Sequence, residues 1–152
     1  MSQSMADTGH YVLKVTKSWR GQDDSGKPLP LHWAITVQTA GTDQAPVGNI
    51  YNAAGNIDTF YYEVLHDVPL DNANWRGGLT VATIQKEDLV RVEKIFSGVP
   101  TFRHDFKWNC QNWVWAALRE LRQAGFAVES LTWESLRTNM NDLLEAWEVG
   151  DI

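Results

Sequence analysis

Apolar and polar positions alternate along the first half of the chain and change to a helical period in the second. Tyr11–Val15 (Tyr-Val-Leu-Lys-Val) predicts a first strand. Arg20–Pro30 is rich in Gly, Asp and Pro and predicts a loop. Leu31–Val37 predicts a second strand, Gly41–Val47 a turn, and Gly48–Ala53 a short third strand ending at Gly55-Asn56. Thr59–Leu65 is aromatic and β-branched and predicts a fourth strand. A polar loop, Asp71–Gly78, leads to a fifth strand at Leu79–Ile84. Glu87–Ser97 then carries Leu89, Val92, Ile95 and Phe96 at helical spacing, with Gly98 as the stop. The clearest helix starts at Cys110, with an apolar stripe through Trp113, Val114, Ala117, Leu118 and Leu121. Asn109 takes its N-cap position and Gly125 its C′ position. A last helix starts near Thr132 and directs Leu136, Met140, Leu143, Leu144 and Trp147 inward. Strands first and helices after them predict an α+β domain, an antiparallel sheet of about five strands packed by three helices.

Composition narrows this picture. The chain has 152 residues, enough for one domain, with Met1–Gly9 read as a polar tail. Its 43% hydrophobic and 21% charged residues exclude general disorder. No segment approaches the ~20 apolar residues of a spanning helix, and the polar N-terminus does not read as a signal peptide. One cysteine makes neither an internal disulfide nor a cysteine zinc site, which fits a cytoplasmic, reducing location. A formal charge of −6 argues against nucleic acid as a partner. The histidines show no metal-ligand spacing, so neither metal nor cofactor is expected. The expected partner is a small-molecule or peptide substrate.

The lone thiol then becomes a candidate nucleophile. Cys110 falls in the first helical turn, where orphan N–H groups and the helix dipole favour a thiolate. The bland alternative is a core cysteine, because Cys110 also lies on the apolar stripe. A thiol nucleophile needs a histidine in reach. His10 lies in the tail, His66 at a strand end beside Asp67, and His104 in a charged loop near Cys110. His32 opens an apolar strand, where a general base is held rigidly, although a half-buried histidine bonded to a carbonyl would look the same.

His32-Trp33-Ala34-Ile35, followed by Asn109-Cys110-Gln111-Asn112-Trp113-Val114, resembles the circularly permuted papain-like superfamily. That group includes the NlpC/P60 peptidases and the lecithin:retinol acyltransferase-like proteins, with histidine before cysteine. The resemblance covers about residues 31–124. It implies a cysteine-dependent hydrolase or acyl- or amide-transfer enzyme, with Cys110 as nucleophile and His32 as base. A third polar residue comes from the next strand, at Asn52 by the match to Gly-x-x-Tyr-x, with Asn49 and Tyr51 as rivals. Strand alternation allows only one of Tyr51 and Asn52 to face the site. The acyltransferase-like branch has Asn-Cys-Glu-His-Phe where this chain has Asn-Cys-Gln-Asn-Trp, which departs from retinoid or phospholipid acyl transfer. Trp33 and Trp113 read as core, while Trp108, Gln111, Trp115, Trp75 and Tyr51 are candidates to line a substrate groove. Two other readings stand beside the enzyme: an inactive ligand- or partner-binding protein on the same fold, and a biosynthetic cyclase or isomerase using the same pocket.

Overall fold

A computed structural model describes residues 9–19, 21–22, 24–27, 31–71 and 73–148, with side chains described as far as Asp142. Five strands form one antiparallel sheet: β1 (His10–Ser18), β2 (His32–Gly41), β3 (Pro46–Ala54), β4 (Tyr61–Pro69) and β5 (Trp75–Gln85). Three helices follow: α1 (Leu89–Ser97), α2 (Cys110–Gln123) and α3 (Trp133–Glu148). The α+β class, the five antiparallel strands and the three helices agree with the sequence pattern.

The strand order is β4-β3-β2-β1-β5. A flat sheet would hold β4 and β5 about 19 Å apart, four spacings of about 4.8 Å. Leu70–Asn74 join them, and six extended Cα steps reach about 20 Å, enough to cross one face of the sheet from edge to edge. Period-two alternation divides each strand between two faces. Leu13, Val15, Trp33, Ile35, Val37, Tyr51 and Ala53 bury on the helix-covered face. They pack against Val92 and Phe96 of α1, Trp113 and Leu121 of α2, and Leu136 and Met140 of α3. Trp33 lies 6.1 Å from Trp133, and Phe96 lies 5.9 Å from Trp113, edge-on. Such ring pairs add about 0.5–1.5 kcal/mol each beyond area burial.

Three expectations change. The fifth strand begins at Trp75 rather than Leu79, because Gly78 and Trp75 enter the ladder opposite Thr16 and Ser18. Glycine suits that close pairing, since a Cβ at Gly78 would lie 3.3 Å from Thr16 Cγ2. His10 opens β1 opposite Gln85 instead of lying in a tail. The 87–97 helix begins with a 3-10 turn, Lys86–Asp88. Met1–Thr8 of the expected tail, and the side chains of Leu143, Leu144 and Trp147, lie outside what is described.

Candidate functional site

The start of α2 is fixed by its own side chains. Asn109 is extended, with φ −152° and ψ −168°, and its Oδ1 accepts the Gln111 N–H at 2.9 Å. Asn112 Oδ1 accepts the Asn109 N–H at 2.9 Å, completing a reciprocal capping box. At the other end Gly125, with φ +98°, makes a Schellman closure. The Gly125 N–H donates to Arg122 O at 3.0 Å and the Phe126 N–H to Leu121 O at 3.1 Å. Both termini set Cys110 as the first helical residue, on the buried stripe and 2% exposed.

The Trp33 N–H donates to Cys110 Sγ at 3.5 Å. The ladder between β2 and β3 begins two residues later, at Ile35 opposite Tyr51. Strand N–H groups lie in the plane of the sheet. The sulfur therefore sits against the His32–Trp33 peptide, among the core residues covered by the helices. One strand end thus supplies both the donor to the sulfur and the imidazole.

His32 Nε2 lies 2.9 Å from Asn52 Oδ1. The Asn52 amide is oriented from its far side, where Nδ2 donates to Glu63 O at 3.4 Å and to Glu63 Oε1 at 3.3 Å. A carbonyl only accepts, so Nδ2 must face Glu63 and Oδ1 must face the ring. Oδ1 in turn requires a hydrogen on Nε2, which leaves Nδ1 of the neutral ring as the proton acceptor. Asn52 is 4% exposed, so its amide is poorly placed to exchange these partners for water. Glu63 stands opposite Asn52 in the β3–β4 register. Its part in the site was not legible beforehand, because a cross-strand partner depends on register; the only sequence signal was a carboxylate within an aromatic strand.

The face bearing His32 and Asn52 is concave. A cleft of about 180 Å³ there is lined by His32, Asn52, Glu63, Ile50 and Trp75, among others. It adjoins a second cleft of about 330 Å³ that reaches Lys14, Gln38, Asp43 and Asp71. Thr16, Thr36, Leu70 and Trp75 line both. The chain from β4 to β5 crosses this face and supplies Leu70, Asp71 and Trp75 to the walls.

Other expected site residues lie elsewhere. Tyr51 points into the core and is wholly buried, since alternation turns it away from Asn52. Its hydroxyl donates to Glu93 Oε2 at 2.7 Å and accepts from Asn49 Nδ2 at 3.1 Å. Burial and that carboxylate hold its phenol far above the ordinary value. The neighbouring Tyr62 is pushed up to about 12 by burial and by the Glu93 charge. Trp108 packs edge-on to Phe60 and Phe102, with centroids 5.2 and 5.5 Å away. Trp115 lies 5.9 Å from Trp133. Neither tryptophan lines the two clefts, and neither does the half-buried Gln111, whose N–H belongs to the capping box. Of the proposed groove residues, Trp75 alone lines these clefts.

His66 and His104 each pair with a carboxylate of their own. His66 Nε2 lies 2.7 Å from Glu93 Oε2, and His104 Nδ1 lies 3.0 Å from Asp58 Oδ1 on the surface. His104 adopts φ +61° while its N–H donates to Ile57 O at 2.7 Å. Among the described residues, no group of three or more His, Cys, Asp or Glu side chains is placed to hold a metal ion. No described helix is long and apolar enough to cross a membrane.

No curated protein and no solved structure matches the chain. A family model matches residues 21–127, a stretch that contains His32, Asn52, Glu63, Trp75 and Cys110. By that match, the chain belongs to DUF6540, a family of unknown function.

Proposed function

We propose that this protein is a cysteine-dependent hydrolase or acyl- or amide-transfer enzyme of the permuted papain-like class, acting on a small molecule or peptide. The observation that carries the reading is the convergence at one strand end: Sγ on the Trp33 N–H, and the adjacent His32 ring held by Asn52. His32 Nδ1 takes the thiol proton as Sγ attacks a carbonyl carbon, forming the S–C bond. The developing oxyanion is stabilised at the start of α2, where the Cys110 N–H and the helix dipole are directed. Collapse expels the leaving group, which receives the proton from His32. Water or another nucleophile, deprotonated by His32, then breaks the S–C bond and regenerates the thiol. Asn52 keeps Nε2 protonated throughout and prevents the ring from turning.

The burial of Cys110 at 2% exposure favours a second reading, a ligand-binding protein with a core thiol. Thiol reactivity separates the two. An enzymatic Cys110 alkylates with iodoacetamide well below the reference thiol pKa of about 8.5, and His32→Ala removes the advantage. Labelling that requires denaturant, or that ignores His32→Ala, overturns the enzymatic reading.

A further inference from the structure

Lys14 lies on β1, and its side chain faces the clefted side of the sheet, opposite Thr36 in register. It is half-buried, yet among the described residues it makes no hydrogen bond and has no carboxylate within 4.0 Å. Its stem covers the sheet beside Gly78, which leaves the ammonium available to a ligand in the cleft. Lys14 is also the one lysine or arginine among the described residues lining the two joined clefts. His32 stands opposite Ser18 in the same β1–β2 ladder, so the ammonium row and the imidazole row are four strand residues apart. That distance is about 13 Å along the strand. The walls carry apolar side chains, Ala34, Ile50, Leu65, Leu70 and Trp75, interleaved with Thr16 and Thr36.

We infer that the joined clefts take a linear, largely apolar chain whose reacting carbonyl lies at His32 and whose far end carries a single carboxylate bound by Lys14. This rests on the proposed function and assigns its substrate class. A multiply charged end group such as a phosphate fits poorly. Asp43 and Asp71 stand exposed at the same cleft, Lys14 is the one counter-charge among its described lining residues, and the chain is formally −6. The aliphatic middle gains by leaving water against Trp75, Leu70 and Leu65.

Alkylation of Cys110 by bromoacetyl probes tests this, with bromide leaving as the S–C bond forms. The probes are bromoacetyl-aminooctanoate, its neutral primary amide, its phosphonate analogue, and bromoacetyl-glycine, whose carboxylate cannot reach Lys14. Aminooctanoate should react about ten-fold faster than its amide at low salt, the scale of one partly screened charge-assisted hydrogen bond. Bromoacetyl-glycine should show no such advantage over its own amide. Lys14→Gln should abolish the preference and Lys14→Arg should keep it, with rates toward plain iodoacetamide unchanged in both. A merely structural lysine would alter all probes alike. Equal rates for the octanoate and its amide, retention of the preference in Lys14→Gln, or a preferred phosphonate overturns the inference. If iodoacetamide labelling still depends on His32 in any of those cases, the proposed function stands and only the substrate class falls.

Discussion

Asn52→Ala tests the hydrogen bond on which the proposed base depends. The substitution removes the oxygen 2.9 Å from His32 Nε2, together with the two donations to Glu63 at 3.3 and 3.4 Å. His32 and Glu63 are both half-buried, so water can replace part of what is lost. The stability cost is therefore that of an ordinary buried polar deletion, about 1–2 kcal/mol. Reactivity should fall further than stability. Without Oδ1 nothing on Asn52 keeps the ring hydrogen on Nε2, and it can move to Nδ1, the nitrogen required as base. Losing about 1.4 kcal/mol of ring-holding energy slows proton transfer about ten-fold. The assay is the second-order rate of Cys110 alkylation by iodoacetamide between about pH 6 and 9, the range flanking the ordinary histidine and thiol values. Thermal unfolding is measured alongside. Asn52→Asp supplies the contrast: it keeps an acceptor for His32 but sets a second carboxylate beside Glu63 Oε1. It should hold alkylation nearer wild type while losing stability at neutral pH. If Asn52→Ala alkylates at the wild-type rate with the same pH profile, while His32→Ala does not, then Asn52 does not position the base.

Two further outcomes follow from the same geometry. Asn109→Ala removes the side-chain half of the capping box and should cost about 1 kcal/mol in denaturant unfolding, with faster exchange of the α2 N-terminal amides. Asn112→Ala should lose less, because the Asn109 cap on the Gln111 N–H remains. Tyrosinate absorbance should show Tyr62 ionising in the folded state only near pH 12, and Tyr51 later still. Their folded pKa values lie above the unfolded value of about 10. Folding therefore favours the neutral phenols. That stabilisation is complete below about pH 10 and is lost as pH rises through the folded values. Tyr62→Phe should flatten the pH dependence of stability in this window.

The sequence by itself determined most of the elements and the candidate positions. Period-two runs gave the strands, and the stripe from Cys110 to Leu121 gave α2, because the side-chain period is a local property of the backbone. The cap at Asn109 and the stop at Gly125 are likewise local, each satisfied within a few residues. Alternation also put Asn52 and Tyr51 on opposite faces before any contact was known. What the tertiary structure decided was which face each occupies and what meets there. Register placed Glu63 behind Asn52 and Lys14 beside Thr36, and no short-range pattern carries register between strands. Packing removed Trp108 and Trp115 from the clefts, because an aromatic side chain gains comparably from a core neighbour and from a groove wall. The short crossing from β4 to β5 carried Leu70 and Asp71 over one face of the sheet and began β5 at Trp75. It made one polar-looking face of the strands concave, with His32 at one end and Lys14 toward the other.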